Sequence, residues 1–196
     1  VADAARQAAD TGEPAPQPKP WLYEGSDIPI DTSWTFGTLP NGLRYAVKRN
    51  EVPAGAVSVR VRIDAGTAYE NEDEQGFAHL IEHLSFRGST LVPDGEAKRI
   101  WQRFGVTFGS DSNAETSATQ TVYKLDLPNA LGMQGDATGL DQSLKIIAGM
   151  MEEPRINDAS VNAERAIVQR DAREPAVVHG CDHHSGLHPQ PLGRCG

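Results

Sequence analysis

Between Ala56 and Ile63 the chain reads AVSVRVRI. Val57, Val59, Val61 and Ile63 alternate with Ser58, Arg60 and Arg62, so an extended strand here buries one face and leaves the other polar. The period then changes. Gly76–Arg87 (GFAHLIEHLSFR) sets Phe77, Leu80, Ile81 and Leu84 at helical spacing, a stripe that reads as a core face rather than a substrate pocket. Between them, Asp64–Gln75 is acidic and loop-like, and its Glu70–Glu74 run is expected to be solvated.

Further elements follow by the same signals. Leu39-Pro40-Asn41-Gly42-Leu43 predicts a hairpin with Asn-Gly in a type I′ turn, flanked by strands at 34–39 and 44–48. Residues 97–104 form a second helix, 116–127 a strand, 129–139 a glycine-bearing loop and 140–151 a third helix closed by Pro154. Asn157, Asp158 and Ser160 are cap candidates for a fourth helix over 160–173. The 38% apolar content plus 19 glycines in 196 residues is a globular share, and the length suits one large domain. A net charge of −9 weighs against a nucleic-acid backbone or anionic lipid as partner. No apolar run is long enough to span a membrane.

Residues 1–20, with Pro14, Pro16, Pro18 and Pro20 alternating, read as an extended leader without the apolar stretch of a signal peptide. Such a leader fits a mature terminus left by signal cleavage, hence export to a compartment such as the periplasm; a fragment boundary explains it equally well. The ordered domain is expected over 21–175. Residues 176–196 hold four of the six histidines and both cysteines and have no period. His179, Cys181, His183, His184, His188 and Cys195 could bind a second metal, and Cys181 and Cys195 could pair in an oxidising compartment. An unrelated or frame-shifted terminus is the other reading.

The chemistry concentrates in His79-Leu80-Ile81-Glu82-His83. Positions i, i+3 and i+4 share a helix face, so both imidazoles and the carboxylate point one way. Two histidines one turn apart can hold Zn²⁺, and the neighbouring Glu82 can act as general base toward a water that the ion acidifies. The order is the inverse of H-E-x-x-H. Two surface histidines beside a helical glutamate would give the same letters.

With its flanks, the segment from Gly76 to Thr90 resembles the signature of the pitrilysin/insulinase (M16) zinc peptidases. Leu39–Leu43, Val57–Gly66, Asn113-Ala114-Glu115-Thr116 with Thr121 and Tyr123, and Asn162-Ala163-Glu164-Arg165 resemble further family segments in order. The resemblance covers about Asp31–Glu174. It implies an α+β fold, a mainly antiparallel sheet with helices packed on one face, as in a truncated half of such an enzyme. It implies peptide-bond hydrolysis of unfolded peptides, with Zn²⁺ as cofactor and Glu82 as base. It puts the third ligand seven residues after Glu164, at Asp171, where the family has glutamate; Glu164 and Glu174 are the substitutes, and an ordinary solvated carboxylate is the plain alternative. It makes Glu164 a carboxylate supporting the site. Asn113, Ala114 and Thr116 become an edge strand that pairs with the substrate backbone. The spacing between His83 and Asp171 exceeds the family pattern, with Leu131–Gly139 as the insertion. A second half or partner subunit is implied, which completes a closed chamber and supplies an Arg/Tyr pair. The alternative from another class is a non-catalytic subunit or inactive fragment that offers a binding surface in a larger assembly.

Overall fold

The computed structural model describes residues 20, 21, 23–131 and 138–171. The leader up to residue 19, most of the Leu131–Gly139 insertion, Glu174 and the 176–196 tail with its proposed metal and disulfide residues lie outside the described residues.

Strands β1 (Trp34–Thr38) and β2 (Arg44–Lys48) form an antiparallel hairpin, with Trp34 opposite Lys48 and Thr38 opposite Arg44. Both strands fall where the sequence puts them, but the turn is different. The Gly42 N–H donates to Leu39 O at 2.9 Å, and the Leu39 N–H to Leu43 O at 2.8 Å. Pro40 and Asn41 therefore occupy the centre of the turn, and Gly42 follows them at φ +86°. This is a three-residue loop rather than a two-residue type I′ turn. Proline prefers the first central position, and the glycine supplies the left-handed residue that closes such a loop. Trp21 and Tyr23 pack on Phe36 at ring-centroid distances of 5.0 and 5.1 Å.

The main sheet has the order β3-β5-β4, wholly antiparallel, from β3 (Val57–Ile63), β4 (Ser112–Thr116) and β5 (Thr121–Leu127). The strand predicted over 116–127 starts later, because Thr116 ends β4 and a turn follows it. Residues 117–120 make a turn closed by the Ser117 N–H on Gln120 O at 2.8 Å, and the strand proper begins at Thr121. In β5, Thr121, Tyr123, Leu125 and Leu127 are buried on one face, and Val122, Lys124 and Asp126 are half-buried on the other. The alternation read in β3 joins this sheet in register, Val57 opposite Leu127 and Val61 opposite Tyr123.

Four helices follow: α1 (Phe77–Ser85), α2 (Glu96–Arg103), α3 (Thr138–Glu152) and α4 (Asp158–Asp171). Trp101, Leu125, Leu127, Ile146 and Met150 make the centre of the core. The Trp101 indole N–H donates to Ser143 Oγ at 3.1 Å, so its one polar atom is satisfied inside. At the start of α4, the Asn157 N–H donates to Ser160 Oγ and the Ser160 N–H to Asn157 Oδ1, both at 3.0 Å, a reciprocal cap. Val161, Glu164, Val168 and Asp171 then lie along one stripe, the side turned to α1.

The predicted core face of α1 needs correction. Leu84 is buried, but Phe77 is 53% and Ile81 48% exposed. The helix is gripped instead on its polar flanks. Glu82 reaches β4, Ser85 reaches Tyr123 on β5, and His83 reaches α4. Glu82 and Ser85 are buried at 7% and 3% because hydrogen bonds hold them there.

Candidate metal centre

The helix places His79, Glu82 and His83 on one face, as the spacing requires. His79 Nε2 and His83 Nε2 face each other at 3.2 Å. Asp171 Oδ2 lies 4.0 Å from His83 Nε2, and the three ligand atoms lie within 4.8 Å of one another. Two nitrogens at zinc bond lengths of about 2.0–2.1 Å in a tetrahedron are roughly 3.3 Å apart, so the histidine pair already has the right spacing. Asp171 stands farther out, as its short side chain predicts, with its other oxygen 3.4 Å from Arg170.

His83 is oriented from behind. Its Nδ1 lies 2.9 Å from Glu164 Oε2, and Arg87 Nε–H donates to Glu164 Oε1. Glu164 is 5% exposed. Burial pushes its carboxyl pKa up, but the hydrogen bonds from His83 and Arg87 outweigh that and hold it below the ordinary value. An ionised carboxylate only accepts, so Nδ1 carries the hydrogen, which leaves Nε2 as the ring atom that a metal ion would use. Two imidazole nitrogens and a carboxylate converging in this way fit a zinc ion.

Glu82 is tied by the Thr116 hydroxyl, which donates to Oε2 at 2.5 Å. Thr116 thus meets the site through its side chain, a role that the sequence reading did not give it. Hydrogen-bonded pairs alternate along β4, marked by Ser117 with Gln120 at one end and Asp111 with Asp126 at the other. That alternation directs the backbone groups of Ala114 and Thr116 to the open edge of the sheet. Asn113 turns its backbone to β5, opposite Lys124, and leaves only its exposed side chain available.

Sequence reasoning also missed Arg87 as a partner of Glu164, and it missed Glu70. Far from being loosely solvated, Glu70 accepts the Gly76 and Ala78 N–H groups at the start of α1, at 2.8 and 2.7 Å. Its distance of eight residues from Ala78 leaves no local signal.

A helix carrying two convergent histidines, braced by a second helix and tied by side-chain hydrogen bonds to β4 and β5 of an antiparallel sheet, defines an α+β fold with a candidate metal centre. The chain belongs to the insulinase family (peptidase family M16), whose model matches residues 45–183. It is 32% identical over 152 residues to the probable zinc protease PqqL of Haemophilus influenzae, covering 78% of this chain and 16% of that protein. It is 30% identical to a probable mitochondrial-processing peptidase subunit beta of Arabidopsis thaliana, covering 90% of this chain and 32% of the relative. Among solved structures, the first half of the periplasmic protease PqqL from Escherichia coli superposes with a TM-score of 0.68 at 30% identity, over 77% of this chain and 32% of that one. Pitrilysin, at 21% identity and a TM-score of 0.59 over 71% of this chain and 14% of its own, shares the fold. The chain thus spans about a sixth of the length of its PqqL relatives. No described helix is long and apolar enough to cross a membrane.

Proposed function

We propose that this chain carries the zinc-binding and general-base half of a zinc-dependent endopeptidase, with His79, His83 and Asp171 as ligands and Glu82 as base. The observation that carries the reading is the facing pair of Nε2 atoms at 3.2 Å, one of them fixed by Glu164. Zinc supplies Lewis acidity, which polarises a carbonyl and lowers the pKa of water to about 7. Thr116 holds the Glu82 carboxylate through Oε2, and that carboxylate is the base that takes a proton from the attacking water and returns it to the leaving amine. Arg87 and Glu164 keep His83 in its tautomer. Ala114 and Thr116 offer backbone groups on which an extended, unfolded peptide adds as a further strand, with the Asn113 side chain beside it. This pairing takes any sequence, because it reads backbone rather than side chains.

A second M16-like half, or a partner subunit, belongs to the proposal, since the relatives named as proteases are about three to six times longer than the matched region. Export to the periplasm is part of it too, supported by the PqqL structure described as periplasmic. The test is cleavage of an unfolded, fluorophore-labelled casein by the chain, alone and with the second half of a PqqL relative added, with and without EDTA. Chelator-sensitive cleavage that falls about 10²–10⁴-fold in Glu82→Gln supports the reading. Cleavage that ignores EDTA or survives Glu82→Gln overturns it.

A further inference from the structure

The N-terminus of α1 is capped from outside the helix. Its opening N–H groups have no partner within the helix, and Gly76 before it has no side chain to serve them. The Phe77 N–H goes to Glu74 O at 3.0 Å. The Gly76 and Ala78 N–H groups both go to Glu70, one to each carboxylate oxygen. Glu70 therefore does the work of an N-cap side chain and brings a full negative charge to the positive end of the helix dipole.

Glu70 is itself anchored. It follows a short 3₁₀ turn (Thr67–Tyr69) that is stitched to the β4–β5 turn. The Thr67 N–H donates to Ser117 O at 3.1 Å, and the Ala68 N–H to Ala118 O at 2.8 Å. Thr121 Oγ1 donates to Ala65 O at 3.0 Å. Gly66 makes the close approach possible, because a Cβ there would lie 2.2 Å from Ser117 O. One carboxylate thus joins the start of the histidine-bearing helix to the strand pair whose Thr116 holds Glu82. His79 directly follows Ala78, so fraying of the first turn would displace His79 while His83 stays braced by Glu164.

We infer that Glu70 is a positioning residue that sets His79 against His83 by fixing the first turn of α1 to the β4–β5 hairpin, an inference that rests on the zinc reading of the site. The test compares the 196-residue chain with its Glu70→Gln and Glu72→Gln variants. Glu72 is exposed and loses the same charge. Zinc affinity is measured by competition with a chromogenic chelator, and exchange of the Ala78 and His79 amides by NMR, on samples shown to be folded by circular dichroism. Glu70→Gln should weaken zinc binding about tenfold and speed exchange of both amides about tenfold, with Glu72→Gln within twofold of the parent. Unchanged affinity and exchange in Glu70→Gln overturn the inference. So does an equal loss in Glu72→Gln, which would mean that net charge is responsible. If the parent binds no zinc, the zinc reading fails on its own, and amide exchange then decides for or against Glu70.

Discussion

Glu164 fixes which nitrogen of His83 faces His79, and Arg87 fixes Glu164. Replacing Glu164 with Gln keeps the shape but puts an amide where His83 needs an anion. Zinc affinity should fall about 10–100-fold, measured by chelator competition. Asp171 gives a prediction of the opposite sign. Its carboxylate stands 4.0 Å from His83 Nε2, beyond the tetrahedral edge. Asp171→Glu adds one methylene and should tighten zinc binding by roughly fivefold, whereas Asp171→Ala should weaken it at least as much. The His79, Glu82 and His83 trio was legible because helical periodicity is local. Glu164 and Asp171 came from the resemblance and from counting along a helix. The Thr116 hydroxyl and Arg87 were not legible, because they meet their partners across 34 and 77 residues of chain. No periodicity in a single sequence encodes such a separation.

At the scale of elements, helix α1 is the instructive case. Its hydrophobic stripe was visible, but only Leu84 fills the core, while the polar flanks make the closest contacts. Leu84→Ala should cost about 2–5 kcal/mol in urea denaturation, as expected for a fully buried leucine. Ile81→Ala, at a half-exposed position, should stay within about 1 kcal/mol. Strands β1, β2 and β3 and all four helices lay where their patterns put them. The errors in where elements begin and end fall at turns, where single hydrogen bonds choose between alternatives. Pro40 moved the hairpin from a two-residue to a three-residue loop, and the turn at residues 117–120 shortened the strand predicted over 116–127 to Thr121–Leu127.

At the scale of the whole molecule, acid should loosen the fold. Hydrogen bonds from Ser33 and Lys48 lower the Asp31 pKa to about 2. Burial alone would raise that of Asp126, but Arg60, Ser58 and Lys124 together push it well below the ordinary value. A depressed carboxylate stabilises the fold above its unfolded pKa of about 3.9, and that contribution is lost as pH falls through the folded value. The melting temperature should therefore hold steady from pH 7 to 5 and drop between about pH 4 and 2. Asp126→Asn should flatten part of the drop, modestly, because the pairs are partly exposed.

Metal should act on the whole fold as well, because the proposed ligands come from α1 and α4. Zinc at 100 times its dissociation constant adds about 2.7 kcal/mol if only the folded state binds it.

The most direct test of the account is native mass spectrometry of the 196-residue chain, as purified and after EDTA, beside His79→Ala. One zinc per chain, removed by EDTA and missing from folded His79→Ala, is the predicted result. A chain that takes up no zinc, or a His79→Ala variant that keeps it, would contradict the assignment of His79, His83 and Asp171 as its site.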